Sequence, residues 1–212
     1  MNNMTKRSSR LFLVLAVSGL TCMAQEAPDF HRFTFEGGGG ISFPTGTAKD
    51  RWNTGWNLMF GGGYNFTRHV AGLLEFQYDK FSLTNSALQQ YQQPDGFTRF
   101  WSITLNPRYD FHPGGKFDAY ATGGYGLYGR ELAFTDPSQI QQYCDPYYGY
   151  CQSTGAPVIA SYTNYHGGAN VGGGFEYSLW GSGVKFFTDI RYNRFFAHTA
   201  NDFVTLRFGI NY

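Results

Sequence analysis

The sequence predicts an all-β fold, an eight-stranded antiparallel up-and-down β-barrel that crosses a membrane. Most of the chain divides into segments in which apolar and polar residues alternate with the period of two that a β-strand imposes. The connections between these segments alternate between short and long. Aromatic residues make up 19% of the chain and glycine contributes 28 residues, while charged residues reach only 15%, against about 25% in ordinary soluble domains.

The N-terminus has the layout of a secretory signal peptide. The positive residues of its n-region are Lys6, Arg7 and Arg10. The apolar run Leu11–Leu20 is too short to cross a bilayer as a helix, which takes about 20 residues, and Ala24 supplies a small residue at the expected cleavage position. We predict that residues 1–24 are a signal peptide for the Sec pathway and that residues 25–212 are one barrel domain. Lipidation of Cys22 is a weaker alternative.

Seven of the eight predicted strands alternate clearly, with large apolar side chains on one face and polar or glycine residues on the other. The eight segments are residues 33–43, 56–66, 70–79, 101–110, about 117–134, about 162–177, 184–193 and 204–212. The fifth segment alternates poorly, and its facing is left open. We expect no helix and no second domain.

The connections follow the pattern of outer-membrane barrels, which have short periplasmic turns and longer extracellular loops. The short connections are residues 67–69, 112–116 and 178–183. The others are residues 44–54, 82–98 and 135–160, with a final shorter one at 197–202. This arrangement predicts that both chain ends lie on the periplasmic side.

Alternation alone also fits a soluble barrel whose apolar face points inward, so three further observations are needed. The apolar face carries aromatic side chains in nearly every strand, and the interior of an eight-stranded barrel is only just wide enough for side chains to fill. The middle of that face carries no charge in the seven clear segments. Aromatic residues such as Trp56, Trp101 and Tyr212 gather at segment ends, where interfacial girdles lie. We therefore predict that the apolar face points toward lipid.

Two further motifs resemble the OmpA/OmpX-like outer-membrane β-barrel family: Gly61–Phe66, which runs into a tight turn, and Asp189–Tyr192. The last strand also resembles the C-terminal signal that the outer-membrane barrel assembly machinery reads. Its residues are Val204, Leu206, Phe208, Ile210 and Tyr212. The resemblance implies a location in the outer membrane of a Gram-negative-type bacterium. It also implies contact with outer-membrane lipid and lipopolysaccharide, and with the assembly machinery and periplasmic chaperones.

Charged residues on the polar face predict a network of ion pairs inside the barrel, because an isolated buried charge is costly. The predicted members are Glu36, Glu75, Arg108, Glu176, Asp189, Arg191 and Arg207, with Asp110 and Lys185 on the same face. Such a network would plug the lumen. The alternative is a wider, water-filled channel in which the same charges set ion selectivity.

The third long loop contains Cys144 and Cys151, the pair left after removal of the signal peptide, and we predict a disulfide between them. Unpaired thiols or half of a metal site are the alternatives, and we expect no metal and no cofactor. The loop is rich in tyrosine, with Tyr143, Tyr147, Tyr148 and Tyr150. Tyrosine supplies large contact area at low entropic cost, so the loop is a candidate surface for an extracellular ligand. The alternative is a protease-resistant surface loop without a partner.

The predicted function is a structural or surface-interaction barrel with a polar, plugged lumen and no catalytic residues. A narrow pore for small or apolar solutes is the alternative. A membrane-embedded lipid-modifying enzyme is less favoured, since Ser161, His166 and His198 lie toward the outer rim without a recognisable motif. A formal net charge of +1 gives no reason to expect a nucleic-acid partner.

Overall fold

The computed structural model of the chain describes residues 31–140, 142–144, 146–147, 149–179, 183–197 and 201–212. The predicted signal peptide lies outside these residues. The strands are β1 Phe33–Thr45, β2 Gly55–Asn65, β3 Val70–Ser82, β4 Asp95–Asp110, β5 Phe117–Thr135, β6 Gln142–Cys144, β7 Cys151–Ser153, β8 Val158–Ser178, β9 Lys185–Phe195 and β10 Asn201–Asn211.

Eight of these strands close a barrel in the order β1–β2–β3–β4–β5–β8–β9–β10, and β6 and β7 form a separate two-stranded sheet in the third loop. Every neighbouring pair in the wall is antiparallel. The barrel closes where β1 meets β10, and Phe35 and Tyr212 exchange two backbone hydrogen bonds of 2.8 Å there. The prediction of an eight-stranded antiparallel up-and-down barrel is confirmed.

The facing of the seven clear strands is also confirmed. In β1, Phe35 is 62% exposed, whereas its neighbours Thr34 and Glu36 are buried inside the barrel. The same alternation runs through β2, β3, β4, β9 and β10. In β8 it is visible in the lower half, where Asn170 and Glu176 are buried and Val171 and Phe175 are exposed. In the described part of the chain, no helix is long and apolar enough to cross a bilayer.

The structure settles the facing of β5, which the sequence left open. Tyr120 and Tyr128 point inward and are buried, whereas Tyr125 and Leu127 are exposed on the outer face. The pattern is hard to read because β5 places large aromatic rings inside the barrel and small residues such as Gly123 outside. Aromaticity therefore does not distinguish the two faces of this strand.

The long loops contain helical turns, so the expectation of no helix was wrong. Helix α1, Asn85–Tyr91, lies between β3 and β4, and 3-10 turns occur at Gly46–Asp50 and Pro137–Gln139. The Thr84 hydroxyl accepts a hydrogen bond of 3.3 Å from the backbone N–H of Ala87, which caps the N-terminus of α1. Ala87 then packs against buried side chains of the barrel.

The interior holds large aromatic rings as well as polar groups, which corrects the expectation that such rings are too bulky for it. Phe187 of β9 is buried above glycines of the neighbouring strand β10 and of β1, the strand beyond it. A Cβ atom at Gly209 would lie 2.6 Å from the Phe187 ring, and one at Gly38 would lie 3.1 Å from it. Glycine on the inner face therefore leaves the room that an inward aromatic ring occupies.

The outward face gives a direct prediction for stability. Leu74 lies on the outer face near the middle of β3 and is 58% exposed to the surroundings of the barrel. We expect Leu74→Arg to lower the free energy of unfolding by about 2–4 kcal/mol, since the charge would face hydrocarbon.

Equilibrium unfolding in urea with lipid bilayers present measures this change. Tyr147→Arg, in the third loop, is the matched control and should change stability by less than about 0.5 kcal/mol. An equal effect of the two substitutions would contradict the membrane-facing assignment.

Candidate functional site

The barrel interior brings together four charged side chains, Glu75, Asp189, Arg191 and Arg207, which we call the central network. Their positions follow from strand register, because Arg207 of β10 lies directly opposite Asp189 of β9. Alternation along β9 then places Arg191 on the same inner face as Asp189. Glu75 projects inward from β3 and is buried. The network contains two positive and two negative groups and is therefore balanced in charge.

Each of the two arginines of the central network contacts both of its carboxylates. Arg207 forms a bidentate contact with Asp189, with carboxylate oxygens 2.7 Å from Nε and 2.5 Å from Nη2. Its Nη1 also lies 3.3 Å from a Glu75 oxygen. Arg191 contacts both Glu75 oxygens, at 2.9 and 2.7 Å, and its Nε lies 3.0 Å from Asp189. Paired guanidinium and carboxylate groups of this kind form the strong, charge-assisted class of hydrogen bond.

A second set, the periplasmic network, consists of Arg108, Asp110, Glu176 and Lys185. Arg108 lies 2.5 Å from Glu176 and 2.7 Å from Asp110, and Lys185 lies 2.9 Å from Glu176. These residues sit where β4, β8 and β9 approach their short turns. The second network is likewise balanced in charge.

Tyr120 connects the two networks. Its hydroxyl donates a hydrogen bond of 3.2 Å to Asp189, and the Arg108 guanidinium lies over its ring at 3.9 Å from the centroid. Sequence analysis missed this residue because the facing of β5 was open. The inward direction of Tyr120 would have followed from placing Asp118, two residues earlier, on the polar face.

Glu36 and Asp79 are inward carboxylates that lie outside the networks. Glu36 was predicted to take part in an ion pair, but no ion pair is found for it among the described residues, and its Oε1 has no hydrogen-bond partner there. Arg191 and Arg207 are already engaged by Glu75 and Asp189, which explains this. Asp79 was not predicted as a member and accepts hydrogen bonds of 2.6 Å from Ser42 and 2.8 Å from Gln77.

On the extracellular side of the central network lies a cluster of buried aromatic rings that we call the aromatic plug. Its members are Trp52, Phe81, Phe100, Phe195 and Phe203. Phe100 lies at the centre, with ring centroids 5.1 Å from Trp52, 6.0 Å from Phe81, 5.8 Å from Phe195 and 5.3 Å from Phe203.

The aromatic plug was not predicted. Strict alternation, continued from Asp79 to Phe81 and back from Ser102 to Phe100, would have placed these rings inside. Trp52 comes from the first long loop, where it forms an isolated β-bridge with Leu83, and no periodic pattern marks it.

A cavity of about 430 Å³ opens at the periplasmic mouth of the barrel. Asn65, Arg68, Pro113 and Gly183, from the three short turns and their flanks, line its rim, and Arg108 of the periplasmic network lies at its inner end. The central network and the aromatic plug therefore lie between this cavity and the extracellular loops.

The third long loop is pinned by a disulfide between Cys144 and Cys151, which lie directly opposite each other on β6 and β7. Tyr147 is 92% exposed and Tyr150 is also exposed. The side chain of Tyr143 and the whole of Tyr148 lie outside the described part of the chain. At the base of the loop, the side chains of Ser138 and Gln139 donate hydrogen bonds to Asp136, which lowers the pKa of its carboxyl group.

The structure does not bring the candidate catalytic residues together. Ser161 and His166 both lie on β8, but their odd spacing puts them on opposite faces of the strand. The His166 ring packs edge-on against Phe195 at 5.3 Å, and His198 lies outside the described residues. In the described ranges, no group of three or more His, Cys, Asp or Glu side chains could hold a metal ion.

The C-terminal pattern lies on the outer face of β10. Phe208, Ile210 and Tyr212 are exposed there, whereas Val204 and Leu206 are partly buried. Tyr212 follows the strand at the periplasmic end and is held by its backbone contact with Phe35.

Comparison with known proteins agrees with this architecture. Residues 12–212 match the family model for the outer membrane protein beta-barrel domain. The comparison with curated proteins returned no match.

Among solved structures, similar folds include the Neisserial surface protein A (15% identity, covering 85% of this chain and 96% of that one, TM-score 0.54). A major outer membrane protein from Thermus thermophilus is also similar (13% identity, 86% and 99%, TM-score 0.50). A third is Ail, the attachment invasion locus protein of Yersinia pestis (16% identity, 85% and 96%, TM-score 0.48).

The family match spans nearly the whole chain, and the closed barrel with its lipid-facing apolar surface is the structure that such a family requires. The protein is located in the outer membrane. The chain belongs to the outer membrane protein β-barrel domain family.

Proposed function

We propose that this protein is a non-conducting, non-catalytic barrel that acts at the cell surface, as a structural and interaction protein, through its extracellular loops. The proposal rests on the observation that two layers of side chains, the central network and the aromatic plug, fill the lumen. A barrel that is filled in this way offers its outer loops, rather than its interior, to other molecules.

The physical cost of opening supports the closed state. Passage through the central network would require Arg207 to leave Asp189, although both side chains are almost completely buried. Breaking a buried ion pair costs about 3–5 kcal/mol. Passage of an apolar solute, the alternative function, would in addition displace Phe100 from the four rings around it.

The third loop supports the surface role. The disulfide between Cys144 and Cys151 restricts the loop before any partner binds, which reduces the entropy lost on binding. Exposed tyrosines at Tyr147 and Tyr150 provide broad contact area of the kind that binding loops use.

We also propose the partners that the outer location implies. The exposed apolar face would contact outer-membrane lipid and, on the outer leaflet, lipopolysaccharide. The strand that ends at Tyr212 would serve as the signal for the barrel assembly machinery after periplasmic chaperones have delivered the chain. Residues 1–24 would direct export and be removed.

Planar-bilayer recording of the purified protein tests the closed lumen. The expected result is the absence of steady open conductance in wild-type protein, because buried charged side chains and buried aromatic rings occupy the lumen in two successive layers. A variant that combines Phe100→Gly, Phe203→Gly and Arg207→Gly should conduct if it still folds. Steady, ohmic conductance of the wild-type protein would contradict the proposal.

Binding by intact cells tests the surface role. Cells that display the wild-type protein should adhere to at least one surface in a panel of immobilised proteins and glycans. Cells that display a variant with residues 142–153 replaced by a Gly/Ser linker should adhere less. Equal adherence of the two kinds of cell on every surface would argue against binding through the third loop.

A further inference from the structure

We propose that the upper part of β8, Ala160–His166, binds an extended peptide segment of an extracellular partner by accepting it as an additional β-strand. We call this part of the strand the β8 edge. The inference rests on the proposed surface function and specifies how a partner would be bound. It differs from binding by the tyrosine-rich loop, because main-chain hydrogen bonds rather than side chains would supply much of the affinity.

The β8 edge exists because neighbouring strands differ in length. β8 pairs with β5 continuously from Tyr177 up to Ala160, which lies opposite Phe134. On its other side, β9 ends at Phe195, which lies opposite Gly168 of β8. Above Gly168, therefore, β8 has a partner strand on only one side.

The direction of the unpaired groups follows from the last hydrogen bond on that side. The backbone N–H of Phe196 donates to the carbonyl of Gly167 at 3.0 Å, so the main-chain groups of Gly167 point toward β9. Main-chain groups alternate in direction along an antiparallel strand. The N–H and C=O groups of Ser161, Thr163 and Tyr165 consequently point to the open side, and no strand among the described residues pairs with them there.

The β8 edge also lacks the usual protection against strand addition. Natural edge strands are commonly blocked by lysine, proline or a bulge. Residues 160–166 contain no charged residue and no proline. In the described β5–β8 ladder the register is regular from Phe117 to Phe134, and it shifts between Phe134 and Thr135, just above the edge.

The side chains of the β8 edge would add contact on both faces of an incoming strand. Tyr162 is 63% exposed and Tyr165 is 62% exposed, and their odd spacing places them on opposite faces. Aromatic side chains are well suited to cross-strand packing, at about 0.2–1 kcal/mol for each pair. The preferred partner is therefore an extended segment with apolar or aromatic side chains and free N–H groups at alternate positions.

A second copy of this chain fits the β8 edge poorly. Strands of outer-membrane barrels tilt by about 35–45°. Two copies in one membrane, related by a two-fold axis along the membrane normal, would incline their β8 strands in opposite directions. The two edges would then diverge by about 70–90°, twice the tilt, and could not form a continuous ladder. A segment from another molecule has no such constraint.

The test uses the full-length protein in lipid nanodiscs and a synthetic peptide with the sequence of residues 126–135, Gly-Leu-Tyr-Gly-Arg-Glu-Leu-Ala-Phe-Thr. This segment belongs to β5, which already pairs with the opposite side of β8. In the free protein, the amides of Ser161, Thr163 and Tyr165 should exchange with deuterium faster than those of Tyr162 and Asn164. Saturating peptide should slow exchange at the first three amides at least tenfold and leave the other two unchanged.

Matched peptides and variants make the test specific. Two peptides are compared, one N-methylated at its odd-numbered residues and one at its even-numbered residues. One of them loses the N–H groups that face β8 and should bind at least tenfold more weakly, whereas the other should bind nearly as the unmodified peptide does. Thr163→Pro removes an N–H on the open side, where proline is tolerated, and should abolish binding, whereas Thr163→Val should retain it. If Thr163→Pro does not fold, as shown by loss of the heat-dependent gel shift, the difference in affinity between the two N-methylated peptides tests the inference.

Any of three results with the peptide would overturn the inference. The first is no saturable binding at about 1 mM peptide, a concentration that corresponds to a binding free energy of only about 4 kcal/mol. The second is equal binding by Thr163→Pro and the wild type, and the third is equal weakening by the two N-methylated peptides. A wild-type dimer that Thr163→Pro dissociates would show that a second copy occupies the edge and would also overturn it. If cells displaying Thr163→Pro still adhere as the wild type does, the surface function stands and only the strand-addition mode fails.

Discussion

Replacing Arg207 by leucine is expected to destabilise the barrel by about 3–5 kcal/mol, because it leaves buried carboxylates without their cation. Arg207 is fully buried and contacts Asp189 through two nitrogens and Glu75 through a third. The substitution removes the positive charge but keeps an apolar side chain in the lumen. Urea unfolding in lipid, followed by tryptophan fluorescence and by the heat-dependent gel shift, measures the change.

Two further variants separate burial of charge from loss of volume. Arg194→Leu removes an arginine that is 52% exposed and lies 3.9 Å from Asp202, and it should cost at most about 1 kcal/mol. The double variant Arg207→Leu with Asp189→Leu removes a pair and should recover part of the loss. A loss for Arg207→Leu no greater than that for Arg194→Leu would show that the central network does not hold the lumen together.

Phe100→Ala is expected to lower the free energy of unfolding by about 3–5 kcal/mol, the range for large-to-small changes of buried aromatic residues. Phe100 touches all four other rings of the aromatic plug, so its removal leaves a cavity that the barrel wall cannot easily close. The same unfolding assay measures the effect.

Phe76→Ala is the matched control for Phe100→Ala. Phe76 points outward from β3, and lipid chains can fill the space that its ring leaves. We expect a smaller loss in the free energy of unfolding than for Phe100→Ala. The transfer free energy of the removed ring atoms is lost in both variants, but no cavity forms in Phe76→Ala. Equal losses for the two variants would mean that Phe100 is not enclosed as described.

The outer surface of the barrel was predictable because hydrocarbon tolerates few side chains. Every residue that faces lipid must be apolar, aromatic or small, and strand geometry repeats that demand at every second position. Phe35, Leu74 and Phe208 obey it and reveal their direction in the sequence alone. In β5 the outer face mixes large residues such as Tyr125 with small ones such as Gly123, while Tyr120 lies inside, so the facing could not be read from the sequence.

The interior was less predictable because its residues must complement one another rather than a uniform solvent. Glu36 and Glu75 are alike in sequence context, since both are acidic residues on the inner face. Strand register decides that Glu75 meets Arg191 and Arg207 while Glu36 has no ion pair among the described residues. Register across non-adjacent strands cannot be deduced from alternation.

The aromatic plug could not be predicted from the sequence for a different reason. Its rings come from several strands and from the first loop, and Trp52 reaches them only because the loop folds back over the barrel opening. Bulk alone suggested that large rings belong outside. The glycines of the inner wall remove that restriction, and their effect appears only when the positions of opposing strands are known.

Fluorescence quenching of single-tryptophan variants tests the central claim, that the apolar face meets lipid while a second set of aromatic rings fills the lumen. Two variants are compared, one that keeps only Trp56 and one that keeps only Trp52, with the other tryptophans replaced by phenylalanine. Lipids with brominated chains should quench Trp56 strongly. Trp52 should resist both these lipids and aqueous iodide. Strong quenching of Trp52 by iodide would reveal an open lumen, and a Trp56 that brominated lipids do not quench would show that the barrel faces the other way.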